Sequence, residues 1–384
     1  MRKRLAIVST HPIQYNAPWF RMLAQHPNVD LHAFYTWHGG DQTIHDPGFG
    51  QAVKWDIPLT DGYKYTVCPP SKPIDQRTFW NMDSPELIPK LLEWNPDCVL
   101  VIGWNFRSHV RCMRQCKGKL PVWFRGDSTL LDKRNGLKSF ARTVVLRRIY
   151  ANIDKALAVG QNNRDYFLAH GLSDDQIAIV PHAIENERFA DVTHDQAACD
   201  QREELGFDKN QTLVSFIGKL ETKKAPLQLV SAFRNACKTR DDLRLLIVGS
   251  GPLESELSAL VADDPRIARL PFQNQSKIPA VYRIGDVTIL PSLYNETWGL
   301  CLNESMASGR TVVASDRVGA CRDLVCSETG FRYSVGDVDP LDRVLASLPL
   351  RPELLQMGEH CQEYIQRWSF QHIVEEIALL VSQS

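Results

Sequence analysis

The sequence predicts an α/β protein of two doubly wound, Rossmann-like domains, each a parallel sheet with helices on both faces. Three observations carry this. The chain has 384 residues, about twice the length of an ordinary domain. Short apolar runs alternate with helical patterns from end to end, as parallel sheets require, because each crossover needs a helix. That alternation breaks at the polar stretch 191–209 and then restarts.

In the first half, strands are expected at 5–9, 30–35, 98–102, 121–124, 155–159 and 177–180. They are β-branched or apolar and bounded by Pro, Gly or Asp. Amphipathic helices at 17–25, 84–94 and 162–170 lie between them, and Gly171 ends the last as a C′ residue. In the second half, strands are expected at 213–217, 243–248, 287–290 and 311–315, and helices at 226–238, 253–261, 278–284 and 300–308. Open α/β sheets bind ligands at the carboxyl ends of their strands, so two of them direct attention to a cleft between the domains.

Composition narrows the function. With 43% hydrophobic and 23% charged residues, the chain is ordinary globular material. A net charge of −1 gives no reason to expect nucleic acid. The ten cysteines are scattered. Neither Cys112 with Cys116 nor Cys321 with Cys326 has a second pair at zinc spacing, so all read as free thiols of a reducing, cytoplasmic compartment. The opening apolar run stops at His11-Pro12, short of a secretory h-region, and reads as a first strand. No stretch is long and apolar enough to span a bilayer.

Three constellations can carry chemistry. In Phe216-Ile-Gly-Lys-Leu-Glu-Thr-Lys-Lys224 a strand runs into Gly218, followed by Lys219 and Lys224. Glycine admits a ligand close to the backbone, and two ammonium groups suit a pyrophosphate; a solvated basic turn would look the same. In Leu246-Ile-Val-Gly-Ser-Gly-Pro252, Gly249 and Gly251 end a strand, but the third glycine of a dinucleotide fingerprint is absent. In the segment from Leu290 to Glu304, a loop carries Glu296 and a helix begins near Gly299. Amides at a helix start face anions, and carboxylates accept from the paired hydroxyls of sugars. Glutamates decorating a helix dipole would also give this pattern.

Together these segments resemble the family 4 glycosyltransferases, retaining enzymes of the GT-B fold. Glu296 and Glu304 match the family's Glu-x7-Glu motif within Pro291-Ser292, Glu296-Thr-Trp-Gly299 and Asn303-Glu-Ser-Met-Ala307. Gly218-Lys-Leu with Lys224 resembles the donor clamp, and Val248-Gly-Ser-Gly-Pro252 the next strand end. Phe272-Gln-Asn-Gln-Ser276, with Tyr282 and Asp286, resembles a base-binding segment. Pro181-His-Ala-Ile-Glu185 and Phe189 precede the second domain, and Trp368 resembles the tryptophan of a terminal helix returning to the first. The implied boundaries are 1–188, completed by 368–384, and 189–367.

The resemblance implies that Lys219 and Lys224 neutralise the leaving diphosphate, while Glu304 holds the ribose diol. Glu296 would orient a donor hexose. The amides of Trp298, Gly299 and Leu300 would hold oxygens, and the segment of Phe272 and Asn274 the base. The donor would be a UDP-sugar ahead of a GDP-sugar, and no metal or other cofactor is expected. Lys219 stands where the family has Arg, Ala225 where it has Gly, and Arg125-Gly-Asp-Ser128 where many members carry a sugar-binding His.

The acceptor, a glycan, a lipid-linked sugar or a small molecule, is expected on the first domain. Candidates there are His11, Gln14, Tyr15, Trp19, Trp104, Asn105, Arg107, Arg125 and Asp127. Residues 133–148 carry Lys133, Arg134, Lys138, Arg142, Arg147 and Arg148 among apolar residues, a pattern for the inner face of a membrane or for a solvated helix. A sugar-nucleotide epimerase of the same fold and a non-catalytic sugar-nucleotide-binding module remain alternatives. A glycosidase built on the two glutamates suits the phosphate-like surroundings less well.

Overall fold

A computed structural model describes residues 2–38, 44–46, 51–72, 77–132, 136–336 and 340–383. The chain forms two units: Met1–Gln42, Ile57–His182 and Phe370–Ser384 make the first, Thr43–Asp56 and Ala183–Ser369 the second.

In chain order the strands are β1 (Lys3–Ser9), β2 (Val29–Tyr35), β3 (Ile44–Asp46), β4 (Gln51–Val53), β5 (Lys64–Val67), β6 (Cys98–Ile102), β7 (Val122–Gly126), β8 (Lys155–Ala158), β9 (Ile177–Ile179), β10 (Thr212–Ile217), β11 (Leu243–Val248), β12 (Ile267–Leu270), β13 (Val287–Leu290), β14 (Thr311–Ser315) and β15 (Gly330–Tyr333). The first unit holds the sheet β5-β2-β1-β6-β7-β8-β9 and the second β12-β11-β10-β13-β14-β15. The pairs within both are parallel. Strand order reverses between β1 and β6 in one and between β10 and β13 in the other. In doubly wound sheets these switch points are where ligands bind. Every residue of β10, β13 and β14 is buried, so these strands read as mostly apolar runs with small hydroxyl residues, without period-two alternation. The helix Phe370–Ser382 returns to the first unit and packs on Ala17–Gln25.

Three features depart from the sequence expectations. The edge strands β5, β12 and β15 are short and partly exposed and lack a distinctive apolar run. The polar stretch 191–209 holds a helix, His194–Glu204. Its inward face carries Ala198 and Arg202, and Arg202 donates to both oxygens of Asp286 at 3.1 Å. Asp286 is 1% exposed and also accepts from Arg351 at 2.9 Å and from the Leu213 amide at 2.8 Å. Its carboxylate is therefore a structural node, not part of a base-binding surface. A charge can sit in a core only when paired, and its partners lie far off in sequence.

The third departure is the segment Thr43–Asp56. It lies in the first half of the sequence yet belongs to the second unit. Its strands β3 and β4 pair antiparallel, the Lys54 carbonyl accepts from Asn274 at 2.8 Å, and Asp56 accepts from the Ser276 hydroxyl at 2.5 Å. The unit boundaries also fall at 182/183 and 369/370, a few residues from the 188/189 and 367/368 read from the sequence.

Candidate active site

The second unit's switch point assembles the loops after β10, β11 and β13. The first two are zipped together: Gly218 N–H donates to Val248 O at 3.0 Å, Leu220 N–H to Ser250 O at 3.0 Å, and Leu253 N–H to Leu220 O at 2.9 Å. Gly249 permits this approach. Its φ is +138°, and a Cβ there would lie 2.0 Å from the Gly218 carbonyl oxygen. The chain then makes a 3-10 turn, Thr222–Lys224, and Ala225 takes left-handed geometry, φ 54° and ψ 41°. Pro226 follows at the first position of the helix Pro226–Ala236, where its missing N–H costs nothing. The turn needs the conformation that glycine adopts freely; alanine holds it at a cost of about 1 kcal/mol.

That turn presents Lys224 to the loop after β13. The Leu293 amide donates to Lys223 O at 2.8 Å, fixing one loop against the other. The Lys224 ammonium meets the Glu296 carboxylate in an ion pair, the side chains 15% and 11% exposed. The Ser292 hydroxyl donates to the same Glu296 oxygen at 3.0 Å. Burial alone would push the Lys224 pKa down, but the Glu296 carboxylate outweighs it and holds the pKa above the ordinary lysine value. Lys224 therefore remains a cation.

The stretch around Glu296 is clamped from behind. Gly319 N–H donates to Glu296 O at 2.8 Å and Ala320 N–H to Trp298 O at 2.9 Å. A Cβ at Gly319 would lie 1.8 Å from Thr297 O. Gly299, at φ +101°, caps the helix Leu300–Ala307. Its first amides have no carbonyl one turn back, which makes that end electropositive. Glu304, 4% exposed, accepts from the Tyr282 hydroxyl at 2.6 Å. The Trp298 indole is buried and donates to Asn303 at 2.8 Å, so its ring is not offered to a ligand. The two glutamates thus meet different groups, Glu296 a cation and a hydroxyl, Glu304 the Tyr282 phenol.

Lys219 is half-buried on the loop after β10. Phe272 is half-buried with its ring 6.4 Å from that of Trp55, and the Asn274 side chain is engaged by Lys54 O and the Gln275 amide. Ser292 is a residue of this site that the sequence marks only by the Pro-Ser at the strand end.

In the first unit, Trp104, Asn105 and Asp127 line one recess with Gly103, Gly126 and Ser128, at the carboxyl ends of β6 and β7. Arg125 is not offered to that recess. It is 3% exposed, and its guanidinium donates to Val180 O at 2.5 Å and Pro181 O at 2.9 Å, tying β7 to the end of β9. Burial, then the nearby Arg125, pushes the His182 pKa down to about 3, so that ring is neutral. His11 follows β1 with its ring 5.1 Å from His38 and 5.4 Å from Trp37. Burial, His38 and Arg77 push its pKa down to about 4. Gln14 and Tyr15 are half-buried. Trp19, at 1% exposure, is core, its indole on Asn16. Arg107 opens a helix and pairs with Asp83 at 3.4 Å. The basic helix spans Leu137–Tyr150; Lys133 and Arg134 lie outside the described residues. Among those residues, no helix is long and apolar enough to cross a membrane, and the ten cysteines are free.

Comparison with known proteins bears on this second unit. A family profile described as "Glycosyl transferases group 1" matches residues 199–368. D-inositol 3-phosphate glycosyltransferases are similar in sequence: that of Nocardia farcinica is 31% identical over 249 residues, covering 61% of this chain and 54% of the relative, and that of Rhodococcus opacus is 27% identical over 248 residues with the same coverage. The match spans about half the length of these relatives. Among solved structures, HepE of Anabaena in complex with UDP and glucose superposes with a TM-score of 0.72 at 14% identity, covering 100% of both chains. Sucrose-phosphate synthase of Thermosynechococcus elongatus gives 0.69 at 19% identity, covering 100% of this chain and 99% of that one. The fold is GT-B, and residues 199–368 match the group 1 glycosyltransferase family.

Proposed function

We propose that this protein is a retaining glycosyltransferase. It moves a hexose from a nucleotide sugar, a UDP-sugar ahead of a GDP-sugar, to a hydroxyl of a glycan, a lipid-linked sugar or a small molecule. The observation that carries this reading is the Lys224–Glu296 ion pair beside the electropositive start of the helix Leu300–Ala307. The likeness to HepE, whose structure holds UDP and glucose, supports a UDP-sugar. The relatives' name, D-inositol 3-phosphate glycosyltransferase, supports a polyhydroxylated acceptor.

In this reading the diphosphate lies against Lys219, Lys224 and the amides of Trp298, Gly299 and Leu300. Negative charge grows on the diphosphate as the glycosidic C–O bond breaks, and a preorganised ammonium is worth most at that moment. Lys224 acts as a fixed charge rather than an acid, since its pKa is held up. This charge serves where other enzymes use a metal, so the reading calls for none. Glu304, held by the Tyr282 hydroxyl, accepts from the ribose diol. Glu296 accepts from hexose hydroxyls. Its Oε2 already takes bonds from Lys224 and Ser292, which lowers its nucleophilicity and favours front-face transfer over a covalent intermediate. The acceptor is assigned to the first unit, at Trp104, Asn105 and Asp127 and the loop of His11, Gln14 and Tyr15.

Thermal-shift measurement against UDP-, GDP- and ADP-sugars tests the donor. At a hundredfold excess over Kd, a bound sugar nucleotide adds about 2.7 kcal/mol of apparent stability. A stabilising donor is then offered with polyol, polyol phosphate and glycan acceptors. Product with the anomeric configuration of the donor supports the proposal. An epimer formed from donor alone identifies an epimerase, and binding without turnover for every acceptor leaves a binding module.

A further inference from the structure

We propose that the outward face of the helix Leu137–Tyr150 docks on an anionic lipid bilayer. The helix has two apolar faces. Leu146, Ile149 and Tyr150 point into the first unit's core. On the opposite side, Leu137, Phe140 and Val144 follow one another at i, i+3 and i+7, the spacing of a single helical stripe. Leu137 is 88% exposed and Phe140 70%, and Val145 beside them is 48% exposed. A helix that only needs solvation has no use for an outward phenylalanine and leucine; a contiguous apolar stripe rimmed by charge marks an interaction surface.

The rim names the partner. Lys138 and Arg147 flank the stripe, Arg148 stands at its end, and all three are exposed. Among the described residues, none of the three enters an ion pair. The helix contains no Asp or Glu. Basic side chains around shallow apolar ones fit the headgroup and acyl boundary of an anionic leaflet, where the cations meet phosphates and the apolar groups leave water. Arg142 turns the other way: its guanidinium lies 5.9 Å from the Trp104 ring centroid and 3.4 Å from the Tyr166 hydroxyl. Trp104 and Tyr150 both line the recess at the ends of β6 and β7. The docking face is therefore on the same helix that walls the recess, which would bring that recess to the level of the headgroups.

The proposal stands apart from the transfer reaction, because docking needs neither donor nor acceptor. The test is co-sedimentation of the full chain with vesicles of phosphatidylglycerol and phosphatidylcholine in equal parts, and with phosphatidylcholine alone. Binding to the anionic vesicles at low salt is expected, weakening as salt rises. Lys138→Glu/Arg148→Glu should weaken that binding by thirtyfold or more, since each cation near the surface is worth about fivefold. Leu137→Ser/Phe140→Ser should weaken it by at least about tenfold, with thermal stability unchanged because both side chains are exposed. No binding of the wild type to anionic vesicles overturns the proposal. So does full binding by the double-serine variant, which would mean adsorption by charge without an inserted apolar face.

Discussion

The Lys224 ammonium and the Glu296 carboxylate, 72 residues apart in sequence, form an ion pair that is largely withdrawn from solvent. Taking two charges out of water is costly unless they meet, and breaking such a pair strands the survivor. Lys224→Met and Glu296→Leu are each expected to abolish measurable transfer. Each should also lower folding stability by about 3 kcal/mol, whereas the double variant should lose clearly less than the sum of the two. Urea denaturation of the four proteins in the cycle measures this. Simple additivity would show that the pair is not coupled in solution.

Tyr282 donates to Glu304 at 2.6 Å inside the second unit. Hydrogen bonds to charged groups contribute about 1.5–3 kcal/mol. Tyr282→Phe is therefore expected to weaken sugar-nucleotide binding by about tenfold or more while changing kcat little, because the phenol holds a binding carboxylate rather than a reacting atom. Titration calorimetry with the donor separates this from a loss of turnover at unchanged affinity.

Two small residues at the same switch point should respond in opposite directions. At Gly249 a methyl group would strike the Gly218 carbonyl and separate the loops after β10 and β11. Gly249→Ala should cost about 3 kcal/mol or more and remove donor binding. Ala225, held at φ 54°, should gain about 0.5–1 kcal/mol on substitution by glycine, the relief of left-handed strain exceeding the added entropy of the unfolded chain. Chemical denaturation of both variants checks the signs.

His109 makes the first unit acid-sensitive. Its ring is buried between Thr36, at 3.1 Å, and Gly103 O, at 3.0 Å, and burial pushes its pKa down to about 4. The unfolded chain binds this proton near pH 6.5, the native one only near pH 4. The neutral ring's contribution is thus complete above pH 6.5 and is lost as pH falls from 6.5 to 4, of order 3 kcal/mol in all. His109→Gln should reduce the slope of the stability profile across that window, His11 and His182 keeping their share of it, whatever its effect at pH 8. An unchanged slope would assign the acid sensitivity to other groups.

The order of elements was legible in the sequence because strand and helix signals are local. Cys98–Ile102, Leu243–Val248, Ile278–Ile284, Val287–Leu290 and Thr311–Ser315 have the ends that their apolar runs suggest. Lys224, Glu296 and Glu304 could be picked out because glycines and prolines mark the loops that carry them. Which partner each meets could not: Ser292 behind Glu296 and Tyr282 behind Glu304 are decided by how β13 and the helix Ile278–Ile284 are placed. The tertiary structure likewise decided that Arg202 is a core residue, since its partner Asp286 lies 84 positions away. It turned Arg125 onto the carbonyls of Val180 and Pro181 and gave the segment Thr43–Asp56 to the second unit. Pattern reveals which residues prefer to leave water. Which charges may leave with them depends on the partner that packing supplies, and that is a property of three dimensions.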